Sequence, residues 1–130
     1  MPAVFLDTTV LIDVLRGRAA AARLRSLQTA GTPAYICAVN VEELWRGILR
    51  DEERALSRLI HGLAVVPLLA AEGERAGRWR RDFAAKGVTL SQPDCLIAAA
   101  AVTIGVPLAT ANLSDFPMKE LVVEDWSEHE

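Results

Sequence analysis

With 130 residues, 52% of them apolar, the chain has the size and composition of one folded domain and no room for a second core. A charged fraction of 24% and a net charge of −3 exclude a disordered polyelectrolyte and a globally basic nucleic-acid binder. Contact with nucleic acid must then come from a local basic patch or through a bound cation.

In chain order, short apolar runs alternate with longer helical stretches. A strand is predicted over Ala3–Asp7, followed by helices over Thr8–Arg16 and Ala19–Gln28. A second strand over Ala34–Ala38 leads into helices over Val41–Arg50, with Asn40 as its N-cap, and Glu52–Ile60. A third strand, Ala64–Leu68, precedes helices over Ala70–Lys86 and Gln92–Ile104, the second opened by Ser91 and closed by Gly105. Strands over Pro107–Thr110 and Leu121–Val123 complete the order. Most of these strands lack polar alternation, so both faces should be buried, as in a parallel sheet covered by helices. The expected fold is an α/β three-layer sandwich with a mainly parallel central sheet and right-handed crossovers, one domain over residues 1–130.

Cys37 and Cys95 lie in apolar runs without CxxC spacing and read as reduced core residues. A cysteine nucleophile would need a histidine base, and the two histidines, His61 and His129, sit in no recognisable motif. No basic leader precedes the apolar start, which Asp7 and Asp13 interrupt. The longest apolar run, Cys95 to Val102, is too short to span a bilayer. These features lead us to expect a soluble, cytoplasmic protein with no membrane partner.

Four acidic residues carry the chemistry. Asp7 ends the first strand, where open α/β sheets bind their ligands. Glu43, in "NVEELWRG", and Asp94, in "SQPDCLIAAAA", are expected in the first turns of their helices; Asp115, in "LATANLSDF", follows the fourth strand. Taken singly, Asn40-x-x-Glu43 and Ser91-x-x-Asp94 read as capping boxes, and Asp115 as a turn residue. A strand-end aspartate is harder to explain that way, because a desolvated, unpaired carboxylate is costly. If the strands are parallel, all four converge on one edge. Mutually repelling carboxylates invite a divalent cation, and an oxygen-only donor set suits Mg²⁺ or Mn²⁺ rather than Zn²⁺.

Four stretches together resemble the PIN-domain family, specifically the VapC-type toxin ribonucleases of bacterial toxin–antitoxin pairs. "FLDTTVLIDVLRG" is similar to the family's opening motif, "VNVEELWRG" to its Glu-Leu-x-x-Gly helix, "SQPDCLIAAAA" to its Asp-x-x-Ile-Ala-Ala segment and "LATANLSDF" to its Thr-x-Asn-x-x-Asp-Phe ending. Thr8-Thr9 departs mildly from the commoner Thr-Asn or Thr-Ser pair and keeps a hydroxyl at both positions. The resemblance covers nearly the whole chain. It implies an Mg-dependent endoribonuclease, with Mn possible, whose acidic pocket is Asp7, Glu43, Asp94 and Asp115. Thr9, Thr110 and Asn112 would support those carboxylates. It also implies an RNA substrate, a cognate VapB-type antitoxin and a homodimer, the last consistent with the apolar early helices.

The same residues leave two alternatives: a catalytically inactive PIN-like partner-binding protein, and a different Mg-dependent phosphohydrolase. A haloacid-dehalogenase-like site would need a second aspartate where Thr9 stands. Asp13 reads as a structural surface acid. Arg75, Arg78, Arg80 and Arg81 read either as an exposed helix face with local acidic partners or as an RNA backbone contact, with Trp79 free to stack on a base. Trp45 reads as core or interface.

Overall fold

A computed structural model describes residues 2–127; His129 lies outside the described residues. The five strands are β1 (Val4–Leu6), β2 (Ala34–Cys37), β3 (Ala64–Val66), β4 (Leu108–Thr110) and β5 (Val123–Asp125). They form one sheet in the order β3-β2-β1-β4-β5, every neighbouring pair parallel. The six helices are α1 (Thr8–Leu15), α2 (Ala19–Thr29), α3 (Ala38–Gly47), α4 (Glu53–His61), α5 (Ala70–Ala84) and α6 (Gln92–Ile104). The expected α/β sandwich is what forms.

Strand alternation divides the core in two. Phe5, Cys37 and Leu108 face a cluster built with Ala76 and Trp79 of α5 and the alanine run Ala98–Ala101 of α6. Val4, Leu6, Ile36 and Ala109 face the opposite cluster with Val10 and Leu11 of α1, Leu24 of α2 and Leu56 of α4. The methyl-sized faces of Ala98–Ala101 let α6 lie close to the sheet, and Gly105, at φ 73°, ends that helix in the left-handed conformation. From β1 the chain crosses to β2 on one side and, later, returns to β4 on the other. The strand order therefore reverses between β1 and β4, which opens a crevice beyond their carboxyl ends.

Several features differ from the sequence reading. The Glu43 helix starts at Ala38, not Val41: Cys37 is the N-cap, and Asn40 is the third helical residue, its Oδ1 accepting from the Cys37 N–H at 2.9 Å. The last strand is Val123–Asp125 rather than Leu121–Val123, because Val123 is in register with Leu108 while Leu121 is a loop anchor in the α5–α6 core cluster. β3 is an edge strand with Ala64 and Val65 exposed, so the expectation of two buried faces fails there.

Glu72 ties α5 to α6. Its carboxylate accepts the Leu69 N–H at 2.7 Å and the Thr103 hydroxyl at 2.8 Å, and the Leu69 contact leads the causes that hold its pKa below the usual glutamate value. That stabilisation is present above the unfolded pKa and is lost as pH falls through the lower folded one. Glu72→Ala should cost about 1–2 kcal/mol in urea unfolding at pH 7, with the difference shrinking below pH 4.

Candidate functional site

Asp7 sits at the centre of the crevice because its backbone is fixed from both sides. Its N–H donates to the Ala109 carbonyl of β4 at 2.9 Å, and its carbonyl accepts from Val10 and Leu11 in the first turn of α1. It is the N-cap of α1, yet its side chain makes no cap bond. The carboxylate turns instead to two hydroxyls: Thr9 Oγ1 and Thr110 Oγ1 each donate to Oδ2 at 2.8 Å. Each hydroxyl has one proton, and both are spent on Asp7. Thr9 Oγ1 in turn accepts the Ala111 N–H at 3.1 Å, and Thr110 Oγ1 accepts the Asn112 N–H at 3.0 Å. Asp7 is only 3% exposed, and desolvation is the leading influence on it, pushing its pKa up against these bonds.

Asp94 enters from the first turn of α6. Its backbone N–H donates to Ser91 Oγ at 3.2 Å, so the expected N-cap is in place, and Pro93 occupies an early position where no helical donor is required. Burial, followed by the charges of Asp7, Asp115 and Glu43, lifts the Asp94 pKa to about 6. The charges of the other three sequence-predicted carboxylates thus reach Asp94. Asp115 stands in a short 3-10 turn over Leu113–Asp115, where Asn112 Nδ2 donates to its Oδ2 at 2.9 Å and Ser114 Oγ donates to Asn112 Oδ1 at 2.8 Å. Glu43 lies in the second turn of α3 rather than the first, and Thr8 Oγ1 donates to its Oε1 at 2.8 Å. The expected Asn40–Glu43 capping box is thus replaced by Cys37–Asn40.

Three supporting residues read from the sequence, Thr9, Thr110 and Asn112, do hold carboxylates. Thr8 and Asn40 were missed in that role. Asn40 is fully buried and links the Cys37 N–H, the Leu6 carbonyl and Thr8 Oγ1. The signal was a polar residue inside an apolar-flanked helix start, which the N-cap reading absorbed. Cys95, next to Asp94, is buried, and its thiol is pushed up to about 11 by burial first and by Asp94 second, so it is no nucleophile at neutral pH. Among the described residues no three acidic, histidine or cysteine side chains draw together into a ready-made metal cage.

The arginines of α5 mostly serve their own helix. Arg78 pairs with Glu74 at 3.8 Å, Arg81 with Asp82 at 3.1 Å, and Arg75 lies over the Trp79 ring at 5.7 Å. Arg80 differs: its Nε donates to the Leu90 carbonyl at 3.2 Å, and its charge reaches Cys95, beside Asp94. Trp79 is buried and its indole N–H donates to Glu120, which removes it as a base-stacking platform. Trp45 is 41% exposed and not part of the core. Asp13 pairs with Arg18 at 2.6 Å, the structural role expected of it.

A PIN-domain family model matches residues 4–117. The ribonuclease VapC10 of Mycobacterium tuberculosis is 33% identical over 117 residues, 90% of this chain and 88% of that protein. The chain belongs to the PIN-domain family, among its VapC-type ribonucleases. VapC19 of the same organism is 34% identical over 116 residues, covering 87% of this chain and 91% of that one. In fold, this PIN domain superimposes on a chain of the DNA-bound VapBC2 structure from Rickettsia felis with a TM-score of 0.85, over 96% of this chain and 99% of the other, at 20% identity.

The crowding of charge in this PIN crevice has a measurable consequence. Because the folded pKa of Asp94 is raised, the stability it contributes is full below the unfolded value near 3.8 and is lost as pH climbs towards 6. Asp94 is only half-buried, so solvent screening keeps the penalty at pH 7 well below what the full shift would carry. Asp94→Asn should therefore raise the unfolding midpoint of the metal-free protein at pH 7, and the gain should vanish by about pH 4. A destabilised variant at pH 7 would contradict the crowding.

Proposed function

We propose that this chain is a metal-dependent endoribonuclease and the toxin of a VapBC-type pair, acting in the cytoplasm on RNA and silenced by a cognate VapB-type antitoxin. The observation that carries the reading is the buried Asp7 carboxylate, held by Thr9 and Thr110 at the carboxyl end of β1 in a chain of the PIN-domain family, with Asp94 in the first turn of α6 within reach of its charge. Such a site binds a cation because the cation relieves repulsion the fold already bears.

The donor chemistry fits Mg²⁺ or Mn²⁺. All four candidate ligands are carboxylates, an oxygen-only donor set of the kind taken by an ion that keeps several waters and binds one or two protein oxygens. Asp7 and Asp94 would hold it, with Glu43 and Asp115 completing its surroundings. Bound there, the ion supplies acidification of a water and charge neutralisation at a phosphodiester. Asp7, fixed by Thr9 and Thr110, gives the ion a rigid anchor. Glu43, held by Thr8, and Asp115, held by Asn112, would present acceptor oxygens able to orient an attacking water. Arg80, at the edge of the Asp94 helix turn, is the α5 arginine best placed for the RNA backbone.

Asp7→Asn should reduce Mg²⁺-dependent cleavage of bulk tRNA and rRNA by at least a hundredfold while leaving the circular dichroism spectrum unchanged, since the amide cannot supply the ligand charge. Cleavage at the wild-type rate would remove Asp7 from the site. The assembly we propose is a homodimer. The apolar residues of α1 are less free than the sequence suggested, with Val10 and Leu11 buried in the chain's own core. Trp45 and Leu49, 41% and 64% exposed, are the apolar residues at the α3 end left for a second copy. Light scattering at micromolar concentration should give twice the chain mass; a clean monomer would refute the dimer.

A further inference from the structure

We propose that Asn40 is a positioning residue for Glu43, acting through Thr8 along a hydrogen-bond chain whose direction is fixed by the backbone. The inference rests on the carboxylate-site reading above and extends it from Thr8, which holds Glu43, back to Asn40, which that reading leaves idle.

The orientation of the Asn40 amide is forced. A backbone N–H can only donate and a backbone carbonyl can only accept. Asn40 Oδ1 accepts from the Cys37 N–H at 2.9 Å, and Nδ2 donates to the Leu6 carbonyl at 3.1 Å; flipping the amide would break both. The second Nδ2 proton is then directed at Thr8 Oγ1, 3.1 Å away. Having received that bond, the Thr8 hydroxyl sends its single proton to Glu43 Oε1 at 2.8 Å. The chain runs one way, from β1 and the start of α3 through Asn40 and Thr8 to Glu43. All of the Asn40 amide's donors and its oxygen are engaged, which suits a side chain with no exposure to water.

The consequence falls on Glu43. A glutamate has three side-chain torsions, and this one is half-buried on the second turn of α3. Without the Thr8 donor its carboxylate is free to rotate out of the crevice. Because Asp7 is joined to Leu6 and Thr8 by adjacent peptide bonds, the relay also fixes Glu43 relative to Asp7: both are referenced to the same three residues at the end of β1. If Asn40 only capped α3, its loss would weaken folding and leave the folded site unchanged.

The test is titration of Mn²⁺ alone into metal-free protein, expressed per folded molecule. Thr8→Val keeps the side-chain shape and removes the donor; it should weaken Mn²⁺ binding about tenfold or more, as loss of a ligand-orienting partner does. Thr8→Ser should restore most of the affinity. Asn40→Asp keeps the acceptor that caps α3 and removes both donors, so it should reproduce the Thr8→Val loss; should it fail to fold, the Thr8 pair carries the test alone. Glu43→Gln should also weaken binding, and adding Thr8→Val to it should weaken it no further. Wild-type Mn²⁺ affinity in Thr8→Val, with Glu43→Gln impaired, overturns the relay and leaves the site reading standing. Wild-type affinity in Glu43→Gln removes Glu43 from the site and overturns both.

Discussion

The Asp7 carboxylate ends the first strand almost without access to water, and every feature of the crevice follows from making that tolerable. An isolated buried carboxylate costs several kcal/mol and ordinarily takes up a proton instead. Here Thr9 and Thr110 both spend their only proton on Oδ2, and each hydroxyl is refilled by a backbone N–H from the chain leaving β4. Satisfying Asp7 therefore demands that β1 and β4 be neighbours, in parallel, with their carboxyl ends level. The strand reversal between them is at once the topological origin of the crevice and the means of holding its central charge.

Around that point the fold collects further negative charge that stability alone would avoid. Glu43, Asp94 and Asp115 come from three separate segments, and each is positioned by a neutral polar partner: Thr8 donates to Glu43, Asn112 donates to Asp115, and Ser91 caps the helix turn that carries Asp94 by accepting its backbone N–H. These partners position the carboxylates without neutralising them. Elsewhere acids are treated differently. Asp13, Glu52 and Glu74 each face an arginine, and Glu72 is bonded to a backbone N–H and a hydroxyl far from the crevice. Unlike Asp13, Glu52 and Glu74, the crevice acids are met by hydroxyl and amide partners and by no arginine in the ion pairs of the described residues.

Much of this was legible in the sequence, and the failures have physical causes. α6 was bounded correctly because Ser91, Pro93 and Gly105 act locally, within one turn of the residues they govern. The positions of Asp7 at a strand end and Asp94 at a helix start were legible because those are local features too, whereas Glu43 sits a turn deeper in α3 than expected. α3 was misplaced because Cys37, a poor capping type by propensity, is the N-cap, while Asn40, a good one, is used inside the helix. The last strand was misplaced because Val123–Asp125 carries two acids and no alternation, and its register is set by β4. The partners of Asn40 and Thr8 lay beyond reach for the same reason: Asn40 to Leu6 and Thr8 to Glu43 span 34 and 35 residues, and such bonds exist only once the sheet has chosen its order.

The proposed site of four carboxylates, in a chain of net charge −3, poses a problem for the proposed polyanionic substrate. Phosphate affinity normally comes from uncompensated lysine and arginine, and on α5 most of that charge is spent on Glu74, Asp82 and Trp79. The divalent ion proposed above would resolve the conflict twice over, removing repulsion among the carboxylates and offering the backbone phosphate a positive centre. On that proposal, binding and chemistry would depend on the same ion, and the metal-free protein would repel RNA at the site. Substrate affinity would then be coupled to site geometry directly: a change that tilts Glu43 or Asp94 out of the crevice would loosen the grip on RNA as well as the rate, with no change in the surface that RNA first meets.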